Sequence, residues 1–282
     1  MSSTSTSTRP ARSGANPAVY VIALAVVALS VGPVVYGALG GFRSNEQIAR
    51  DPAGLPDPWR FGNYTSVFTN PQFWDYAVNS LVIAALTTAV AVGTGVMAAY
   101  PLARYRFRGR ETLFTVFVLG LLFPLATAII PLSIFISRDL QMSNSWWGVA
   151  LPQAAFALPV TVVILRPFLM ALPQEIEDAA LIDGASRIGV FWRIALPLSA
   201  PALVTVGVLA FVTSWNSYLL PLLLLQDEMK TLPLGVADYS TEHSADTAGV
   251  LAFTSVAMIP ALVLFLALQG RIVNGLQGAV KG

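Results

Sequence analysis

Six stretches of this chain contain no Asp, Glu, Lys or Arg: Gly14–Phe42, Tyr76–Ala103, Thr112–Ser137, Leu140–Leu165, Ile194–Gln226 and Thr247–Gly270. A hydrocarbon layer of roughly 30 Å is crossed by about 20 helical residues rising ~1.5 Å each, so every one of them is long enough. Within that layer only a helix or a closed barrel pairs every backbone N–H and C=O, and continuous apolar runs without two-residue alternation select the helix. The composition agrees, with 55% hydrophobic residues and 11% charged, where a soluble protein carries about 25% charged. Six buried helices in a soluble fold would be too many for so short a chain. The expected fold is all-α: a polytopic membrane protein with six transmembrane helices in the cytoplasmic (inner) membrane.

The remaining charges set the orientation. With residues 1–13 in the cytoplasm, their side receives Arg9, Arg12, Arg104, Arg106, Arg108, Arg110, Arg166, Arg187, Arg193, Arg271 and Lys281, eleven of the sixteen basic residues. The other side keeps Arg43, Arg50, Arg60, Arg138 and Lys230. The excess, clearest in the short RYRFRGR loop, places both termini inside. The first apolar run exceeds the ~7–15 residues of a secretory signal core and lacks a cleavage site, so it reads as a retained span. Three parts follow: a polar, disordered tail at 1–13, a membrane domain at 14–270, and a short cytoplasmic tail at 271–282.

Proline lies inside several spans, at Pro33, Pro124, Pro131, Pro152, Pro159 and Pro221, where each removes a backbone hydrogen bond and bends its helix. Between Arg43 and Asp75, and at Trp146 and Trp147, aromatic residues suit the membrane–water interface. With no cysteine in the chain, neither a disulfide nor a thiolate metal site is available. His243, the one histidine, has only Glu242 and Asp246 nearby in sequence, too few convergent ligands for a metal, and reads as a surface residue.

The loop from 172 to 200 after the fourth span is too long for a tight turn and too regular for disorder. Pro173 can open a helix, and Glu175, Glu177 and Asp178 sit in its first turns, where the helix dipole favours anions. Gly184 can close it in a left-handed conformation. A second short helix is expected from about Ser186 to Ala195, ending before Pro197, with Arg187 and Arg193 on that arm.

Here the sequence resembles the membrane subunits of binding-protein-dependent ABC importers, whose EAA loop reads close to E-x-A-A-x-x-D-G-A followed by a hydrophobic residue, one residue and L-P. This chain has Glu177, Asp178, Ala179, Ala180, Leu181, Ile182, Asp183, Gly184 and Ala185, then Ile194-Ala195-Leu196-Pro197. Asp178 departs from the pattern of many relatives, which carry Glu or Ala there. Further pieces are similar to the smaller permease of maltose-type systems: NSLVIA (Asn79–Ala84), AAYPLARYRFRGR (Ala98–Arg110), FVTSWNSYLLPL (Phe211–Leu222) and GAVKG (Gly278–Gly282). The resemblance implies an ABC type I importer permease fold and the membrane-channel subunit of a sugar importer. It implies partners as well: a second six-span permease in a heterodimer, two cytoplasmic ATPases, an extracytoplasmic sugar-binding protein and membrane lipid, with no nucleic acid. Glu177, Asp178, Ala179, Ala180, Asp183 and Gly184 become the ATPase-coupling residues. The alanines permit close packing, the carboxylates can pair with basic residues of the ATPase, and the glycine supplies the bend. The 271–282 tail is a further candidate for contact with the ATPases.

The chain has only two lysines, neither in a G-x-x-x-x-G-K-[ST] loop, so it cannot itself hydrolyse ATP; the expectation is a non-catalytic transport subunit without a cofactor, ATP and Mg²⁺ being bound by the partner ATPase. In the fifth span Ser214, Trp215, Asn216, Ser217 and Tyr218 interrupt an apolar run. Trp215, Asn216 and Tyr218 are expected on the translocation path, Trp215 and Tyr218 sharing one helical face, and helix–helix adhesion is the alternative. Loop residues Asp227, Glu228, Asp238 and Tyr239 are candidates for touching the binding protein. An ion-coupled secondary transporter would need an ionisable group at membrane depth, and none falls inside the six stretches. An intramembrane enzyme would need a catalytic pair or metal cluster. The sugar itself is not legible, and a related solute such as glycerol 3-phosphate stays open.

Overall fold

The computed structural model describes residues 17–239 and 246–280. Among them every regular element is helical. In chain order they are α1 (Pro17–Gly40), α2 (Asn45–Arg50), α3 (Gly62–Thr69), α4 (Pro71–Arg104), α5 (Arg110–Gly120), α6 (Leu125–Ile134) and α7 (Trp146–Ala171). Then come α8 (Gln174–Ile182), α9 (Arg187–Val190), α10 (Leu196–Leu198), α11 (Ala200–Trp215), α12 (Leu219–Leu224), α13 (Leu232–Gly235) and α14 (Thr247–Val280). The 1–13 tail and His243 lie outside the described residues.

Four helices, α1, α4, α7 and α14, are long and apolar enough to cross a membrane unaided. The other two expected crossings are broken. The third consists of α5 followed by α6 and its π-helical extension to Asp139, bent by 92°. Pro124 causes this: it sits in extended backbone (φ −79°, ψ 110°) and caps α6 instead of continuing α5, as a residue without an N–H must. The fifth consists of the rod Arg187–Leu198 and α11, bent by 73° around Ser199. Counting each bent pair once gives six spans.

The fifth crossing departs from the sequence expectation in two more ways. The second arm of the loop does not stop before Pro197: a π turn at Phe191–Ala195 widens the helix there, making room for the proline ring at the Arg193 carbonyl, and the rod runs on to Leu198. Farther along, the run to Gln226 is not one helix. Pro221 would press on the Ser217 carbonyl, so α11 ends at Trp215, Asn216 caps it, and α12 begins at Leu219.

At the centre α4 and α7 run parallel, paired from Asn79 with Trp146 at one end to Leu102 with Arg166 at the other, with α11 and α14 against them. Their approach is set by small residues. A Cβ on Gly95 would come within 2.3 Å of Thr161 Cγ2, and the buried Ala91, Ala154 and Ala210 bring α4, α7 and α11 together in one layer. Where lipid and protein are equally apolar, such close backbone approach is what favours association.

By contrast α1 leans on α14 only near its end, where Tyr64 Oη donates to the Ala38 carbonyl at 2.7 Å. Val21, Leu24 and Leu29 stand exposed along it, Leu29 at 79%. Such a continuous apolar face is a liability in water and ordinary in a bilayer. The segment between α1 and α4 is pinned by the buried Arg43, which donates to the carbonyls of Gln47 (2.8 Å), Asp51 (2.5 Å) and Pro52 (3.2 Å).

Candidate functional site

The loop after α7 folds as an elbow. Pro173 precedes α8, Glu175 and Glu177 occupy its first turn, and the helix closes on Gly184 with φ +86°. There Ala185 N–H donates to the Ala180 carbonyl at 2.9 Å and Gly184 N–H to that of Leu181 at 3.1 Å, the bond pair of a left-handed C-cap. Ser186 then starts the second arm, its Oγ accepting from Gly189 N–H at 3.1 Å. Local sequence accounts for all of this: a proline to open, a glycine to turn, a serine to restart.

The sequence does not reveal how the elbow is held. Glu177 is buried. Its Oε1 lies 2.9 Å from Arg104 Nε, and its Oε2 accepts from Tyr100 Oη at 3.1 Å. The Arg104 N–H is not aimed along the line to the oxygen, so this contact is an ion pair rather than a directed hydrogen bond. Arg104 Nη2 also donates to the Leu172 carbonyl at 2.9 Å. The Arg187 guanidinium sits 5.3 Å from the Tyr105 ring centre, and Phe191 packs on Tyr100 at 5.0 Å. Both arms are therefore fastened to the last turn of α4.

A second buried cation braces that turn. Arg166 of α7 donates from Nε to the Leu102 carbonyl at 3.0 Å and from Nη2 to Glu111 Oε1 at 2.5 Å, with its guanidinium 4.1 Å over the Phe114 ring. Arg110 Nε donates to the same Glu111 oxygen at 2.9 Å. The RYRFRGR segment, read from sequence for its charge and its resemblance, is thus the hub where α4, α5, α7 and the elbow meet. Within this hub the Arg104–Glu177 pair is the buried one, and breaking such a pair by removing one partner typically costs about 3–5 kcal/mol.

The elbow's other face is free. Asp178, Ala179, Asp183 and Gly184 are exposed beside Ile182 at 86% and Ile188 at 73%. Of the six coupling residues read from sequence, Glu177 faces inward, Ala180 is half-buried, and the other four face out. Ile182 and Ile188 thus leave apolar surface exposed beside carboxylates at this end of the bundle.

The three expected path residues are separated by the end of α11. Trp215 is buried, stacked on Phe211 with ring centres 5.6 Å apart, and its Nε1 donates to the Ala257 carbonyl at 3.1 Å. Asn216 and Tyr218 are exposed. All three border one cavity of about 450 Å³ against α13 and α14, but Trp215 and Tyr218 do not share a helical face, because no helix joins them.

At the end of the bundle away from the elbow, Lys230 Nζ lies 2.9 Å from both Asp227 and Asp238, and Tyr76 Oη donates to Asp238 at 2.8 Å. These bonds, Asp238 first and Asp227 next, hold the Lys230 ammonium above the ordinary lysine range despite partial desolvation. The NSLVIA residues secure the same loop: Asn79 Nδ2 donates to the Lys230 carbonyl at 3.1 Å, and Ser80 Oγ accepts from Leu232 N–H at 2.8 Å. Among the described residues no group of three or more His, Asp or Glu is placed to hold a metal.

Comparison with known proteins fits this geometry. Residues 91–277 match the family described as binding-protein-dependent transport system inner membrane component. A trehalose transport system permease protein of Mycobacterium tuberculosis is 36% identical over 237 residues, covering 83% of this chain and 86% of its own. A trehalose/maltose transport system permease protein of Thermococcus litoralis is 37% identical over 246 residues, covering 83% and 88%. In structure, a chain of a bacterial ABC transporter involved in the import of the acidic polysaccharide alginate superposes with a TM-score of 0.75 at 22% identity, covering 95% of this chain and 99% of the other. That likeness shows a shared fold.

Proposed function

The chain belongs to the family of binding-protein-dependent transport system inner membrane components, and on that premise we propose that its α8–α9 elbow is the handle by which separate ATPases drive it. It is a non-catalytic permease subunit of a sugar importer, and a partner hydrolyses ATP. Relatives named for trehalose and maltose favour a disaccharide or short oligosaccharide as cargo. In this reading the elbow end is cytoplasmic, as the excess of arginine there favours. Two ATPases grip that end, a second six-span permease completes the path, and a sugar-binding protein delivers cargo at the opposite end, where the Lys230 loop lies.

Coupling of this kind needs a surface that the ATPase can hold and a connection that does not yield when it moves. The exposed Asp178, Ile182 and Ile188 supply the first. The observation that carries the proposal supplies the second: Glu177 is buried against Arg104 and Tyr100 of α4. Movement of the elbow is then movement of α4, one of the central helices of the bundle. Glu177 accordingly acts through α4 as a positioning residue, and the role of docking carboxylate falls to Asp178.

Arg104→Leu, examined in proteoliposomes holding the complete transporter, should cut ATP-driven uptake at least tenfold while ATP hydrolysis continues. The exchange Arg104→Glu with Glu177→Arg should recover part of that uptake. Uptake at the unsubstituted rate in Arg104→Leu would refute the anchoring role. Parallel loss of uptake, hydrolysis and assembly in both variants would reduce the pair to a folding element.

A further inference from the structure

A polar layer crosses the bundle through residues that the sequence reading did not join. Thr87 of α4, Gln153 of α7 and Ser214 of α11 meet directly beside the Ala91–Ala154–Ala210 contact. Gln153 Oε1 accepts from Thr87 Oγ1 at 3.1 Å and from Ser214 Oγ at 2.5 Å, and the two hydroxyl oxygens lie 3.3 Å apart. This fills the acceptor side of the amide and leaves the donor side empty: Gln153 Nε2 is buried and has no partner. The group borders a cavity of about 160 Å³ that Phe156, Thr213 and Ser217 also line. One water needs roughly 10–15 Å³ by this measure, so the space admits a cluster of waters or part of a solute.

Three facts bear on what enters it. Gln153 lies seven residues into α7, roughly 10 Å along the helix from Trp146, so the layer sits within the spanning region. Hydroxyl and amide groups at that depth face a water-filled cavity or the protein interior, not lipid. No charged side chain lines the cavity, so nothing there would neutralise an anion or a cation. An amide with unpaired hydrogens, hydroxyls able to donate or accept, and one aromatic ring, set among aliphatic side chains such as Leu125, Val160 and Leu209, suit the polar edges and apolar faces of an uncharged polyhydroxy compound. The mouth is bordered by Thr213, which is exposed, and the space is small for a complete ligand pocket, as half of a site shared between two membrane subunits would be.

We propose that Gln153, with Thr87, Ser214, Thr213, Ser217 and Phe156, forms a contact point for neutral sugar on the translocation path. This deepens the permease reading above and rests on it. It also moves the path from the Trp215–Tyr218 cavity to the opposite face of α11.

The test uses the complete transporter in membrane vesicles. Because the chain has no cysteine, Thr213→Cys and Ser217→Cys each place a single thiol in this subunit. Both should react with a charged, membrane-impermeant methanethiosulfonate, at rates differing at least fivefold between nucleotide-free and vanadate-trapped states. Val116→Cys, on the exposed apolar face of α5, should not react. Gln153→Glu keeps the acceptor oxygen for Thr87 and Ser214 and removes the amide donor; it should lower uptake of radiolabelled trehalose or maltose at least tenfold, with hydrolysis and thermal stability held within twofold and a few degrees. Thiols unreactive in both states, or undiminished uptake by Gln153→Glu, overturn the site while the permease reading stands. Absence of ATP-driven uptake of either sugar by the unsubstituted transporter counts against the disaccharide cargo instead, and the thiol reactivity then decides the site alone.

Discussion

At the scale of single residues the coupling loop separates roles that look alike in sequence. Glu177 and Asp178 are neighbouring carboxylates, yet one is buried against Arg104 and the other exposed. Gly184 is constrained by backbone alone. Its φ is +86°, while a Cβ there would meet nothing within 4 Å. A β-branched residue would thus suffer only the left-handed penalty of about 1–2 kcal/mol, and Asn, which tolerates that region, much less. Gly184→Val should therefore lower coupled uptake roughly five- to thirtyfold and Gly184→Asn less than threefold, measured as sugar moved per ATP hydrolysed. Equal losses for both would show that the site resists bulk rather than backbone strain. Lys230 illustrates a different constraint. Its raised ammonium contributes stability that is complete below the unfolded lysine value of about 10.4 and is lost only as pH rises through the higher folded value, so its loop is not loosened by lysine titration near neutrality.

At the scale of elements the arrangement depends on where helices break and where they touch. Pro124, Pro197 and Pro221 were each legible as perturbations, but their outcomes differ: a 92° bend, a π turn the helix survives, and a full stop before α12. A missing N–H fixes only that something must yield, and the neighbours decide what. The α4–α7 contact is less forgiving. With 2.3 Å from a Gly95 Cβ to Thr161 Cγ2, Gly95→Leu must push two central helices apart, and overpacking of this kind costs about 1–3 kcal/mol or more. The solubilised transporter carrying it should melt several degrees lower, and Thr161→Ala alongside should restore part of the loss. An unchanged melting temperature would place the helices farther apart than described.

At the scale of the whole molecule the outside is as apolar as the inside, so stability depends on the bilayer. Most of α1 faces away from the bundle, and Leu24 and Leu29 have no partner surface within it. Exchanges among aliphatic residues there should be silent. Leu29→Arg, about halfway along α1, should oppose membrane insertion by about 2.5–3.5 kcal/mol, visible as a shift from inserted to non-inserted chain in a glycosylation-mapping assay. Full insertion of that variant would mean that α1 lies against protein or water and not against lipid.

The sequence by itself determined that the chain spans a membrane in helices, because charge is excluded from hydrocarbon and every backbone group must be paired within its own segment. It also determined the elbow, since proline, glycine and serine act on the residues beside them. What only the tertiary structure decided is which side chains meet. Arg104 and Glu177 are 73 positions apart, Thr87 and Ser214 are 127 apart, and no local pattern records a contact that exists only once four helices have packed. The hub beneath the elbow and the polar layer at membrane depth are both of that kind, because a buried charge or amide can be placed only by the partners that satisfy it.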